Sequence, residues 1–426
     1  MQLTRSKTYN RYDICLFLII ISALYGRYGF IHPSSFLSIW FFPELIKNKN
    51  LLFSRRIKSV SAFLLLWVLY AAISFSWVPN MHDAILEFSL LLFNSLLFME
   101  IVVFSMKANR PLQTLALAWT CAFLITSVVA VWEINTDHHL LSAKELKEYR
   151  SNGLGDYMEK NSAIFTFYNP NTYIYYICIV FPFALYLFFQ AKRTVEKFRY
   201  LIPILLAVYV ASQNSSRGGI LAMAVMLCSF IYYKMKGSSF GVKVYMFLCI
   251  GILSLILIIY GEVLFQGLFF RLSGNELFED DARLILMYAS WQEFLNSYGF
   301  GMGTGSMVSV LEGSEANMLR AQLAYSHNMI FEILLEYGVF ICMGIILFLF
   351  KLLRDGIKVG EYRKKAVILC TVFSFPFYSV INSENVKVSF VWMFFASIFV
   401  FSIFSDKKGI SSKKKRVEAK RMIISV

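Results

Sequence analysis

Charge is scarce in this chain. Only 16% of its 426 residues are Asp, Glu, Lys or Arg, where a soluble domain averages about 25%. The acids are the smaller share, 27 against 41 basic residues. Cysteine occurs without a pattern: Cys15, Cys121, Cys178, Cys228, Cys249, Cys342 and Cys370 fall singly in apolar runs, and no CxxC pair exists. That excludes a disulfide framework and a thiolate metal site, and leaves the thiols as small apolar packing residues. The first apolar run lacks a small-residue cleavage site, so no cleaved signal peptide is expected. No internal repeat is visible, the only low-complexity stretch is the basic tail, and no glycine-rich segment matches a P-loop or dinucleotide fingerprint.

Apolar bulk fills the chain instead. Hydrophobic residues make up 58% of it, with 42 Phe and 24 Tyr, and the mean hydropathy is +0.60. These values predict an all-α, polytopic integral membrane protein forming a single transmembrane domain over 1–426. Twelve runs have the length and character of spans: 13–31, 34–46, 59–77, 84–106, 111–132, 171–190, 200–213, 218–234, 244–265, 327–350, 366–382 and 388–405. The second and seventh are the shortest and carry Pro33, Pro43 and Pro203.

Orientation follows from the basic residues. With the N-terminus inside, the segments 1–12, 47–58, 107–110, 191–199, 234–243, 351–365 and 406–426 are cytoplasmic and hold 31 of the 41 Lys and Arg. This asymmetry places both termini in the cytoplasm and supports an even number of spans. The basic tail 406–426 is then an anchor beside anionic lipid, and no nucleic-acid partner is expected.

Polar sequence on the outer side is concentrated in two loops, 133–168 and 266–326, the larger lying between helices nine and ten. A recognition or catalytic site on that face draws on them. All five histidines, His32, His82, His138, His139 and His327, fall on or beside outer segments. The piece 142–150 alternates acids and bases and predicts a short solvated helix. Tyr168-Asn169-Pro170-Asn171 is a turn and helix-start signal in which Asn169 or Asn171 caps backbone amides. In the hairpin 213–219, Arg217 runs against the charge asymmetry. Beside the first amides of a helix it forms an anion site, and the alternative is an arginine snorkelling to headgroups.

In the larger loop a helix is expected from Asp280-Asp281, whose acids suit a helix start. Leu284, Met287, Trp291 and Leu295 form its apolar face, directed at the membrane or at the bundle, and Arg283 lies beside it. Tyr298 to Gly305 follows with glycine at every second position, which suits close backbone approach to a ligand or a flexible turn. Helix ten opens at His327-Asn328, and Asn328, Glu332 and Glu336 share one helical face. Carboxylates at that depth face the protein interior or a wet cavity. Glu336 reads as structural, whereas His327, able to exchange a proton near neutral pH, is the candidate for acid and base work.

In order and in sidedness these motifs resemble the family of O-antigen polymerases and O-antigen ligases. The carrying residues are Asn169-Pro170-Asn171, Ser216-Arg217-Gly218-Gly219-Ile220-Leu221, Ala282-Arg283 with Trp291 and the glycine-rich stretch, and His327-Asn328 with Glu336-Tyr337-Gly338. Where the family often carries a second glycine three residues after the last, this chain has Ile341, and its next glycine is Gly344. The resemblance implies a metal-independent glycosyltransferase without cofactor in the bacterial cytoplasmic (inner) membrane, using an undecaprenyl-pyrophosphate-linked glycan as donor. It implies catalytic roles for His327, Arg217 and Arg283, and substrate contacts from Arg217, Arg283, Asn169, Asn171, Trp291 and Asn328. Glu336 and Gly338 are secondary or structural, and Arg271 and Arg320 are further basic residues of the same loop. The implied partners are a glycan acceptor, the bilayer, a flippase and a chain-length regulator. Polymerisation of O-antigen, capsule or exopolysaccharide repeat units is the first reading, and ligation of finished glycan to a lipid A core is the alternative. A lipid-linked oligosaccharide flippase is the competing class, which the missing half-to-half repeat disfavours.

Overall fold

The computed structural model describes residues 8–26, 32–136, 138–139, 162–167, 169–214, 216–236, 277–312, 328–382 and 385–404. Among them the regular structure is helical throughout. In chain order the α-helices are α1 (Arg11–Ile21), α2 (Pro33–Lys47), α3 (Lys58–Ile73), α4 (Met81–Lys107), α5 (Pro111–Thr136), α6 (Pro170–Gln190) and α7 (Thr194–Gln213). They continue with α8 (Arg217–Lys236), α9 (Leu277–Asn296), α10 (Met307–Glu312), α11 (Met329–Lys358), α12 (Tyr362–Tyr378) and α13 (Ser389–Ile403).

Six helical segments are long and apolar enough to cross a bilayer by length and composition: Lys58–Ser76, Met81–Lys107, Pro111–Thr136, Pro170–Gln190, Arg217–Lys236 and Met329–Lys358. Helices coincide with eleven of the twelve runs expected from sequence, and the run 244–265 lies outside the described residues. Three boundaries differ from expectation. The first run stops as an α-helix at Ile21 and continues as the 3-10 turn Ser22–Leu24, α11 extends to Lys358, and α9 begins at Leu277, ahead of Asp280. The segment 142–150 and the tail 406–426 also lie outside the described residues.

Caps fix where helices start. Asn10 and Asp13 form a reciprocal capping box on α1, and Asn80, Asn169 and Asn328 accept backbone amides at the starts of α4, α6 and α11. Pro170 occupies the first turn of α6, where its missing N–H removes no helical bond. Pro43, Pro182, Pro203 and Pro376 lie inside helices, a placement tolerated where neighbouring helices satisfy the freed carbonyls.

The packing centre is α13, all of whose residues are buried. Lipid supplies no hydrophobic drive between helices, so close packing and interhelical hydrogen bonds hold the bundle. Rings on α13 meet rings on its neighbours, as in Trp392 with Trp67 at 5.1 Å and Phe394 with Phe183 at 6.1 Å, and Trp119 donates to Ser397 at 3.1 Å. At one end of the bundle Arg56 and Lys364 donate to the carbonyls of Ile403 and Phe404. The opposite end, called the upper end below, carries the starts of α6, α8 and α11.

Candidate functional site at the upper end

A turn that lies below the surface organises this end. At 1.5 Å per residue, α12 and α13 measure about 25 Å and 22 Å, short of the ~30 Å hydrocarbon thickness. The described residues of their connection are accordingly internal: Ser379, Ile381, Asn382, Asn385, Val386 and Val388 are all buried. Connections normally run over the surface because their backbone groups need partners. Here side chains from three helices supply them. Glu332 of α11 accepts from the amides of Asn385 and Val386, both at 2.9 Å, and from Asn385 Nδ2 at 3.0 Å. Asn94 of α4 donates to the Val386 and Lys387 carbonyls, and Trp392 donates to Val386 at 2.8 Å. Non-helical backbone at membrane depth is tolerated only inside protein or beside a water-filled cavity.

Three helix starts converge on this turn. Met329, the first residue of α11, donates its amide to Ser379 at 3.0 Å. Thr172 in the first turn of α6 donates to Asn382 Oδ1 at 2.8 Å. Gly218, second in α8, lies against Phe377 and Ile381. Gly219 has to be glycine, since a Cβ there would run into the side chain of Ile174 on α6. Each start carries the positive end of a helix dipole and amides without helical partners.

The hairpin bearing Arg217 is clamped from the side. Asn214 accepts from the Ala163 amide at 2.8 Å and donates to its carbonyl at 2.9 Å. On the far side of the same segment, Glu133 accepts from the amides of Ile164 and Phe165 at 2.8 and 2.9 Å. The end of the first outer loop therefore braces the hairpin against α5. Ser216 then receives the Gly219 amide, and Arg217 stands exposed as the first residue of α8.

A second polar cluster involves the glycine-rich stretch. Gly338 breaks α11 with φ 69° and ψ −171°, and a Cβ there would collide with the Phe300 carbonyl. The carbonyls freed by the break, on Leu335 and Glu336, accept from the amides of Met302 and Gly303 at 2.6 and 3.0 Å. The close approach signalled by alternating glycines is thus to the protein's own backbone. Beside it Thr304 donates to Tyr337 at 2.7 Å, Tyr337 donates to Glu87 at 3.1 Å, and Glu87 pairs with Lys387 at 3.1 Å. Glu336 accepts from the Met307 amide at 3.2 Å. The motif Glu336-Tyr337-Gly338 is therefore a lock between the second outer loop and the bundle.

Of the two directions open to the apolar face of α9, membrane or bundle, the structure turns Trp291 and Leu295 away from the bundle. Leu286 and Ala289 pack with Met307, Leu311 and Leu335, and Phe294 is buried too. Trp291 and Leu295, on the other stripe, are exposed at 40% and 49%, with Tyr288 beside them at 65%.

Of the residues expected to act, the structure brings Arg217, Asn169, Asn171 and Asn328 to the upper end, with Asn169 and Asn328 as helix caps. Glu336 and Gly338 belong to the lock, and Trp291 lies on the exposed face of α9. His327, Arg271 and Arg320 lie outside the described residues, as does the side chain of Arg283, whose backbone belongs to α9. Sequence reasoning missed Glu87 and Lys387, although a charge inside an apolar run is itself a signal. It also missed Asn382 and the depth of the turn. Among the described residues no group of three His, Cys, Asp or Glu could hold a metal ion.

Below the turn, an apolar cleft lies between α3, α11 and α13. Met329, Asn385 and Val386 line it beside Leu64, Trp67, Ile345, Phe348 and Trp392.

Residues 200–349 match the family model described as O-antigen ligase. Over 358 residues, 80% of this chain and 71% of the relative, the sequence is also 22% identical to the teichuronic acid biosynthesis protein TuaE of Bacillus subtilis (strain 168). The matched segment contains Arg217, Arg283, His327 and Gly338. Asn169, Asn171 and the buried turn lie outside it.

Proposed function

We propose, from the match of residues 200–349 to the O-antigen ligase family model and the similarity to TuaE, that the chain is a glycosyl-transferring membrane enzyme of the O-antigen polymerase and ligase kind, and that it polymerises lipid-linked oligosaccharide repeat units at the outer face of the bacterial cytoplasmic membrane. The donor is a glycan on undecaprenyl pyrophosphate. An acceptor-sugar hydroxyl attacks the anomeric carbon of the donor, the bond from that carbon to the pyrophosphate oxygen breaks, and its electron pair leaves with undecaprenyl pyrophosphate. The hydroxyl proton passes to His327. Arg217 and Arg283 neutralise the departing pyrophosphate, a use of fixed charge that is worth most where charge develops. Asn171 and Asn328 stand at the starts of α6 and α11 beside the proposed site, and Trp291 offers an aromatic surface to sugar rings. Twelve spans with both termini in the cytoplasm complete this reading.

The observation that carries the reading is the convergence of three helix starts, one of them headed by Arg217, on a turn buried below the upper end. That arrangement gathers positive dipole ends beside an apolar cleft and so supports a lipid pyrophosphate as donor. A flippase would instead place its ionisable groups on repeated halves. Purified protein supplied with lipid-pyrophosphate oligosaccharide lengthens the glycan under the transferase reading and leaves it unchanged under the flippase reading.

Ligation of finished chains is the second reading, favoured by the description of the matching family as O-antigen ligase. The two separate in a deletion strain. Loss of a polymerase leaves single-repeat glycolipid, whereas loss of a ligase leaves long unattached chains.

The cleft gives a further expectation. Ile345 is 8% exposed on its wall, and Ile345→Trp fills the space in which the lipid chain would lie. Each apolar methylene kept out of such a site forfeits about 0.8 kcal/mol, so displacing two raises KM for the long-chain donor about tenfold. A donor on a short, water-soluble lipid keeps its KM. Equal KM changes for both donors would place the lipid elsewhere.

A further inference from the structure

The buried turn holds a polar group that the fold leaves unused. Asn382 is 2% exposed. Its Oδ1 accepts the Thr172 hydroxyl at 2.8 Å and its carbonyl accepts Asn385 Nδ2 at 3.3 Å, while its own Nδ2 has no partner. Native interiors leave few donors unsatisfied, and each such donor calls for an explanation. Its neighbours share the condition. The hydroxyls of Tyr378, one turn of chain before Asn382, and of Tyr175, one turn below Asn171, are also buried without partners, and their rings lie 5.7 Å apart.

The location says what the missing partner is. Asn382 is one hydrogen bond behind the first turn of α6, its turn receives the first amide of α11, and its neighbour Ile381 touches the start of α8. Thr172 is only half-buried, so Asn382 lies one side chain from the exposed end of the bundle. Amides at these helix starts are engaged by Asn169, Asn328, Ser216 and Ser379, but the dipole ends remain positive, and Asn382 adds an unused side-chain N–H. An unused donor beside three positive dipole ends is complementary to an anion with several acceptor oxygens.

We propose that Asn382 is a phosphate-binding residue, its Nδ2 donating to an oxygen of the pyrophosphate of the lipid-linked donor. The assignment rests on the function proposed above and extends it to a residue beyond the segment that matches the family model. Asn382 holds the diphosphate from beneath while Arg217 approaches from the edge of α8. The Thr172 hydroxyl, donating to Asn382 Oδ1, fixes the orientation of the side-chain amide. No bond is made or broken at Asn382.

The experiment measures the affinity of the purified full-length chain in nanodiscs for sugar-free undecaprenyl pyrophosphate, together with thermal stability. Asn382→Leu removes the donor at nearly constant volume, and the dissociation constant rises about tenfold, the scale of one hydrogen bond to a charged group. Asn382→Asp sets a carboxylate against the anion and weakens binding further. Ser105→Ala removes another buried, unpartnered hydroxyl, on α4, and leaves the affinity unchanged. Wild-type affinity in Asn382→Leu overturns the inference and leaves the proposed function standing. So does a lowered melting temperature with unchanged affinity, the mark of a purely structural residue. If the wild-type protein itself fails to bind undecaprenyl pyrophosphate, the proposed function falls and the inference falls with it.

Discussion

Arg217→Ala is expected to stop polysaccharide assembly while normal amounts of protein reach the membrane. The residue is exposed at the first position of α8, and exposed substitutions usually change stability by less than ~0.5 kcal/mol. Removing a positive charge from a developing anion costs turnover about 10²–10³-fold. Arg217→Lys keeps the charge but loses the planar fork that grips two phosphate oxygens together, so its activity falls between the two. Arg283→Ala and His327→Ala belong to the same class, the first through the leaving group and the second through the acceptor proton. Arg271→Ala and Arg320→Ala, in the same outer loop, serve as matched controls and keep their activity. Glycan length on gels, normalised to the amount of membrane-inserted protein, reads all five. Full activity in Arg217→Ala, Arg283→Ala and His327→Ala together would remove the site assignment.

Much of this arrangement is legible before any coordinates are seen, and the reason is local physics. A cap needs only one side chain and the amides two or three residues on, so Asn169 and Asn328 announce their helices. Arg217 is legible because a basic residue in a short hairpin on the side assigned as outer runs against the charge asymmetry. What is not legible depends on distances between elements far apart in sequence. The runs 366–382 and 388–405 read as two ordinary spans. Only the measured ends of α12 and α13 show that their connection stops short of the surface and that Glu332, Asn94 and Glu87 must reach in to satisfy it.

The glycine-rich stretch illustrates the same limit. Alternating glycines state that backbone comes close to something, and the sequence leaves the partner open. The structure answers with the break at Gly338, where carbonyls of α11 need donors and find the amides of Met302 and Gly303. The apolar stripe of α9 likewise leaves membrane and bundle open in the sequence, and the structure exposes Trp291 and Leu295 while burying Leu286, Ala289 and Phe294.

Glu332→Ala should fail in a different way, by loss of the folded protein. The carboxylate holds the amides of Asn385 and Val386 and the side-chain amide of Asn385, all in a region closed to solvent. Alanine leaves those donors without acceptors at about 1–3 kcal/mol for each, and stabilities of whole domains are commonly only about 5–15 kcal/mol. The turn then loosens from α11, and Ser379 and Asn382 lose their places against α11 and α6. Glu332→Gln keeps the shape and one acceptor oxygen but brings an NH₂ against a donor, so the loss is partial. Melting curves in detergent and the yield of monodisperse protein separate this from the arginine variant. Arg217→Ala keeps its melting temperature and loses turnover, whereas Glu332→Ala loses melting temperature first and activity in proportion. A Glu332→Ala protein with wild-type stability and glycan yield would mean that the turn is held by Asn94, Trp392 and the Glu87–Lys387 pair alone.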